Sequence, residues 1–344
     1  MSTEHDTADP HQEGLVYSTP DVHLYDTRAM RWEEFPGRQG ARVKVLSRFA
    51  TGEPEIFLLW MPPGPLRVLE RRSRYRHYHR SVHEHSLVLQ GGPLPHWDYD
   101  SPEQRNGTLI NFRPGYYMDR RPGPQSIHGA ETGPTLQVGR VSLSWRSGTG
   151  NWADEPNFHD ESIEVPYPDG PGAPAAPPTS PDDSPGVVYR RPAVTVFDTF
   201  SMEWEDYAGL DGTKVKVLER FADGEPSVML RWRPPGPIMP PERLPYRHYH
   251  ASVRECMYVL DGEIPHWDYR SADEREGEGT LIRFKEGFFM DRRPGPGSLH
   301  GIEGGPVSET GSLSLFWRTG TGNFVNEPNF EEESIEVPYP APRS

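Results

Sequence analysis

One unit of sequence is written twice in this chain. The segment VYSTPDVHLYDTRAMRWEEF from Val16 returns as VYRRPAVTVFDTFSMEWEDY from Val188. RVKVLSRFATGEPEIFLLWMPPGP returns as KVKVLERFADGEPSVMLRWRPPGP, and GTLINFRPGYYMDRRPGPQSIHG as GTLIRFKEGFFMDRRPGPGSLHG. Each copy closes on EPNF and then ESIEVPYP. The displacement is 172 residues at both ends and 171 through a histidine cluster in between, so the length changes sit in loops. Two copies of this size exclude a solenoid, which stacks many short repeats. Each copy has the size of a complete domain. The expected division is a disordered tail over 1–14, a domain over 15–168, a Pro-rich linker over 169–186 and a second domain over 187–344.

Within a copy the pattern is β. RVKVL, EIFLLWM, SLVLQ, TLINF and VSLSW are short runs with β-branched or aromatic residues, mostly set apart by Gly, Pro or Asp clusters. The chain's 39 prolines and 34 glycines have no collagen-like period and read as frequent turns. No long segment carries a helical apolar stripe. A sandwich, jelly roll or small barrel is the expected architecture.

The net charge of −15 argues against nonspecific binding to a phosphate backbone. No apolar run approaches the ~18 residues that a membrane helix needs. The single cysteine, Cys256, excludes an intrachain disulfide and suits a reducing compartment, so a cytoplasmic location is expected. The first residues, MSTEHDTADPHQEG, lack the apolar stretch of a signal peptide.

The chemistry is concentrated in RHYHRSVHEH, Arg76 to His85, and its counterpart RHYHASVREC, Arg247 to Cys256. His77 and His79 alternate, as do His248 and His250, and residues two apart on a strand share a face. Glu84 and Glu255 follow five residues after the second His, and His128 and His300 close the RRPGPxSxH runs. Each copy therefore offers three imidazoles and a carboxylate, a donor set for Fe(II), Mn, Ni, Cu or Zn. His83 and His85, which the second copy replaces with Arg254 and Cys256, are expected at the rim of the site. Asp119, Arg120 and Arg121, matched by Asp291, Arg292 and Arg293, offer a guanidinium for a substrate carboxylate or enolate, or an Arg–Asp pair that pins a turn. In PHWDY, alternation sends His96 and Asp98 to one face and Trp97 to the other, with His266, Trp267 and Asp268 alike. Cys256 is expected to face away from Glu255 and to behave as a small buried hydrophobe.

H-x-H-x4-E-x6-G followed by a Pro/Gly turn and a His resembles the two signature motifs of the cupin superfamily. The resemblance covers both copies, so the chain looks like a bicupin. It implies an all-β fold of two tandem jelly-roll β-barrels (double-stranded β-helices). It implies a divalent metal, Fe(II) favoured, held by His77, His79, Glu84 and His128, and by His248, His250, Glu255 and His300. Glu84 and Glu255 are then candidate catalytic bases, with Arg121 and Arg293 as candidate substrate-binding groups. The expected function is an Fe(II) dioxygenase or other oxygenase, an oxidoreductase acting on a small aromatic, enol or carboxylate substrate. The alternatives are a metal-dependent lyase, isomerase or hydrolase, and a noncatalytic storage or metal-sensing protein. Expected partners are a small-molecule substrate and at most a second copy of the chain, with no nucleic acid and no membrane. The second copy keeps a glycine, Gly297, where the first has Gln125, which favours the second copy as the catalytic one.

Overall fold

The computed structural model describes residues 13–36, 40–65, 75–130, 135–169, 184–207, 212–237, 245–303 and 307–340. The proposed tail over 1–14 and linker over 169–186 lie almost wholly outside them. No helix among the described residues is long and apolar enough to cross a membrane. The chain forms two compact units, one from the described residues of Trp32–Glu203 and one from those of Met1–Arg31 with Trp204–Ser344.

The Trp32–Glu203 unit is built mainly from two antiparallel sheets, with a short separate ladder of Gly64–Pro65 and Thr135–Leu136. The larger runs, in spatial order, Val187–Arg191, Val194–Asp198, Tyr116–Arg120, Glu84–Gly91, Arg140–Arg146, Pro54–Met61, Arg42–Arg48 and Glu33–Glu34. The smaller runs Thr108–Phe112, Leu94–Asp98, His128–Ala130, Tyr75–His79 and Ser162–Glu164. The alternating apolar residues of both turn inward and meet. Val88, Val194 and Val196 from the larger sheet pack with Ile110 and Phe112 from the smaller. Two facing antiparallel sheets with their apolar faces together make a jelly roll.

The second unit repeats the plan with one local change. Glu255–Asp268 is a continuous 14-residue strand where the first unit has two strands, Glu84–Gly91 and Leu94–Asp98. The first copy writes GGP between them, where the second writes GE. Pro93 has no N–H to donate to a ladder, so the strand is interrupted there.

The division differs from the expected boundaries at the leading hairpin of each copy. Val187–Asp198 precedes the second copy in sequence, yet Val194 pairs with Arg120 and Asp198 with Tyr116, in the first copy's sheet. Leu15–Asp26 likewise pairs with the second copy's strand, Val22 opposite Arg292 and Asp26 opposite Phe288. The larger sheet of each unit thus ends in the hairpin that precedes the other repeat. The two hairpins are near-copies, so local sequence does not say which edge each will join.

Candidate metal centre

Strand pairing assembles the histidines. His77 and His79 stand on one face of Tyr75–His79, and His128 pairs directly across from His77. In the second unit His300 pairs across from His248 in the same way. The ring centroids of His77 and His128 are 4.3 Å apart, and those of His248 and His300 are 4.2 Å apart. The first strand's other neighbour is the closing ESIE run, which sets Ser162 opposite His79 and Ser334 opposite His250.

Glu84 joins the group, with Oε2 3.4 Å from His79 Nε2 and 3.8 Å from His128 Nε2. Glu255 Oε2 stands 3.4 Å from His250 Nε2 and 3.9 Å from His300 Nε2. Each copy therefore brings together its three predicted imidazoles and its predicted carboxylate.

The surrounding bonds orient these groups. His128 Nδ1 lies 2.8 Å from the Ser126 carbonyl and His300 Nδ1 the same distance from that of Ser298. An Nδ1–H donated to a carbonyl leaves the Nε2 lone pair aimed at the cluster, as metal-bound imidazoles require. Ser162 Oγ is 3.1 Å from His79 Nδ1. The Asn151 amide donates to Glu84 Oε1 at 2.9 Å, and Asn323 to Glu255 Oε1 at 2.7 Å, leaving each Oε2 facing the imidazoles.

The electrostatics favour a cation. Burial lowers the pKa of His79, and lowers those of His128, His248 and His300 further, so the last three rings stay neutral with lone pairs available. Burial alone would raise Glu84 and Glu255. The neighbouring His79 or His250, with Arg120 or Arg292, nonetheless holds each carboxyl below its usual range. His250 Nε2 is buried facing Glu255 Oε2 at 3.4 Å, outside hydrogen-bond geometry, and a coordinated cation satisfies such an atom. The residues fit a divalent metal ion of the kind that nitrogen-rich sites hold.

The predicted arginines need correction. Arg121 and Arg293 are exposed, Arg121 with 58% of its side chain in solvent. Their neighbours Arg120 and Arg292 are the buried ones. Arg120 Nη1 meets Asp98 Oδ1 at 2.8 Å, and Arg292 Nη2 meets Asp268 Oδ1 at 2.6 Å. Both guanidinium groups also reach the site carboxylates, 3.9 Å from Glu84 and 3.7 Å from Glu255. Strand alternation decides the choice: Arg120 pairs across from Glu84 and shares its face, and the strand ends there. His96 belongs to the same wall, its Nε2 3.1 Å from Arg120 Nη2. Asn151, Asn323, Ser162 and Ser334 were missed by motif reasoning; their signal is repetition, since each lies in GTGN or ESIE in both copies. His83 and His85 do not join the His77 group.

The two units differ in free space. A cavity of about 520 Å³ in the first is lined by His77, His79, Glu84, Arg120 and His128. The corresponding cavity of the second measures about 110 Å³. Where the first copy has Leu59, Met61 and Ser144, the second has Arg231, Arg233 and Phe316, and these line and fill it.

Two jelly-roll barrels, each with an HxH pair, a glutamate and a later histidine converging inside it, make a bicupin-like fold. No family model matches the chain, and no curated protein matches it. Among solved structures, protein YlbA from E. coli is similar at 10% identity and TM-score 0.45, covering 89% of this chain and 93% of that one. A putative glyoxylate-induced protein from Pseudomonas aeruginosa is similar at 14% identity and TM-score 0.47, with coverages of 88% and 90%. Oxalate decarboxylase from Bacillus subtilis is similar at 12% identity and TM-score 0.44, with coverages of 89% and 80%.

Proposed function

We propose that this bicupin-like chain is a metal-dependent enzyme whose reaction takes place in the first barrel, on a small organic molecule bearing a carboxylate or enolate. The observation that carries the reading is the cavity of about 520 Å³ opening on His77, His79, Glu84 and His128, against about 110 Å³ at the matching site. A site that does chemistry needs room for a reactant beside the ion. The finer reading is an Fe(II) oxygenase, because three imidazoles and one carboxylate leave positions on an octahedral ion for substrate and O2. The ion would supply Lewis acidity and, when redox-active, a route for electrons.

The chain's own groups would do the rest. Phe57, Leu59, Met61 and Phe112 line the cavity with apolar surface and exclude water from a bound reactant. Arg120, braced by Asp98, supplies a fixed positive charge at the wall. Glu84 Oε2 is the atom placed to take a proton, while Asn151 keeps Oε1 occupied.

The test is a substrate screen with aromatic and 1,3-dicarbonyl acids. Metal-stripped protein is reloaded separately with Fe(II) and Zn(II), with an oxygen electrode as the readout. Oxygen uptake coupled to product with Fe(II) alone is expected. Equal turnover without oxygen would replace the oxygenase reading with a lyase, isomerase or hydrolase. No turnover with any metal would leave a binding protein.

A further inference from the structure

We propose that the first repeat holds a second metal site, separate from the His77 group and built from His83, His85 and Asp119. Its ligand would be a divalent transition-metal ion of the zinc type. The three side chains offer two imidazole nitrogens and a carboxylate oxygen, all within 4.8 Å of one another. Across paired strands, Glu84 stands opposite Arg120 and His85 opposite Asp119. Alternation therefore sends the first pair toward the His77 group and the second to the other face. His83 Nε2 meets Asp119 Oδ1, and the rings of His83 and His85 lie 4.1 Å apart.

The site is built rather than incidental. His85 is buried, stacked on Trp145 with an interplanar angle of 9°. Its Nδ1 is 2.9 Å from the Tyr117 hydroxyl. With Nδ1–H donating to that oxygen, Nε2 keeps its lone pair, the arrangement found for metal-bound imidazoles. Asp119 is buried on the same face, its Oδ1 against His83. Arg121 approaches only the outer oxygen, Nε 3.8 Å from Oδ2. His83 is partly exposed, which gives an ion a way in.

The second repeat supplies an independent observation. At the same three places it has Arg254, Cys256 and Asp291. There Arg254 grips the carboxylate with both prongs, Nε at 2.7 Å and Nη2 at 2.8 Å from its two oxygens. A fixed cation therefore occupies, in one repeat, the place where the other offers two imidazole nitrogens. The chain meets the same buried carboxylate with a guanidinium in one copy and with metal ligands in the other. Two nitrogens and one oxygen suit Zn(II), Co(II), Ni(II) or Cu(II) better than Mg(II) or Ca(II).

The test uses the full chain, purified without a histidine tag, stripped with a chelator and titrated with Zn(II) by calorimetry and dialysis. His83→Arg copies the Arg254–Asp291 pair, which this strand arrangement already carries, so folding should be kept. It is expected to bind one equivalent fewer than the unaltered chain. His77→Ala with His79→Ala should lose a different equivalent and keep this one, which separates the inference from the fate of the proposed enzyme site. Arg254→His with Cys256→His should add an equivalent. Unchanged stoichiometry in His83→Arg would overturn the site and leave a simple imidazole–carboxylate hydrogen bond.

Discussion

Arg231 lies over the ring of Phe316, its guanidinium carbon 4.7 Å from the ring centroid. The matching residues of the first repeat are Leu59 and Ser144, which leave that volume open. Both units hold nearly the same imidazole geometry, so this pair separates a barrel with room for a reactant from one without. Motif regularity favoured the second copy for chemistry; the proposed function follows the difference in space instead.

Filling the first barrel should therefore end turnover and spare the metal. Leu59→Arg with Ser144→Phe is expected to cost about 100-fold or more in kcat/KM, the scale on which a displaced substrate loses rate. Metal content should be unchanged. Metal analysis beside steady-state kinetics checks this; full activity in the filled variant would assign the reaction elsewhere.

The asparagine behind each glutamate should tune affinity. Asn151→Ala removes the 2.9 Å bond to Glu84 Oε1, and metal affinity in the first barrel is expected to fall about 10–100-fold. Asn323→Ala should do the same in the second. Chelator competition measures both, and affinity unmoved by either change would show that the amides do not position the carboxylates.

Metal-stripped protein should lose stability as pH falls below neutrality. Burial lowers His85 to about 3 and depresses His128, His248 and His300 as well. Unfolded imidazoles titrate near ~6.5. Between those values the unfolded chain binds more protons than the folded one, so stability is full above about pH 6.5 and declines with falling pH. Glu84 and Glu255, whose carboxyls are depressed, add a loss of the same sign at lower pH, below about 4.3. Urea midpoints of the chelated chain should drop from pH 7.5 to pH 5; a flat profile would contradict the buried neutral imidazoles.

The exchanged hairpins make a separable claim. Leu24 is fully buried and pairs with Met290 in the second repeat's sheet. Leu24→Ala should destabilise that unit by about 2–5 kcal/mol. Hydrogen exchange should accelerate at Phe288–Arg292 more than at Tyr116–Arg120. The opposite order would return the hairpin to its own repeat.

Much of the metal group was legible because its logic is local. Period-two alternation puts His77 with His79, and repetition marks Glu84 and His128 beside them. The choice between Arg120 and Arg121 was not legible, since it turns on where the strand ends and hence on which residue shares the face of Glu84. The hairpin exchange was hidden for a different reason: two nearly identical hairpins suit either sheet edge. Cavity size was present in the sequence as Leu59 against Arg231 and Ser144 against Phe316. Its meaning appears only when the two sheets bring those positions together.

The most direct measurement is an anomalous-scattering map of the metal-loaded crystal, collected at the absorption edge of the ion found by elemental analysis. The expected result is a peak about 2.0–2.2 Å from imidazole nitrogens of His77, His79 and His128, with Glu84 completing the set, beside open cavity. A counterpart peak is expected among His248, His250, Glu255 and His300. A first barrel without a peak, in a crystal whose chain retains its metal, would contradict the account.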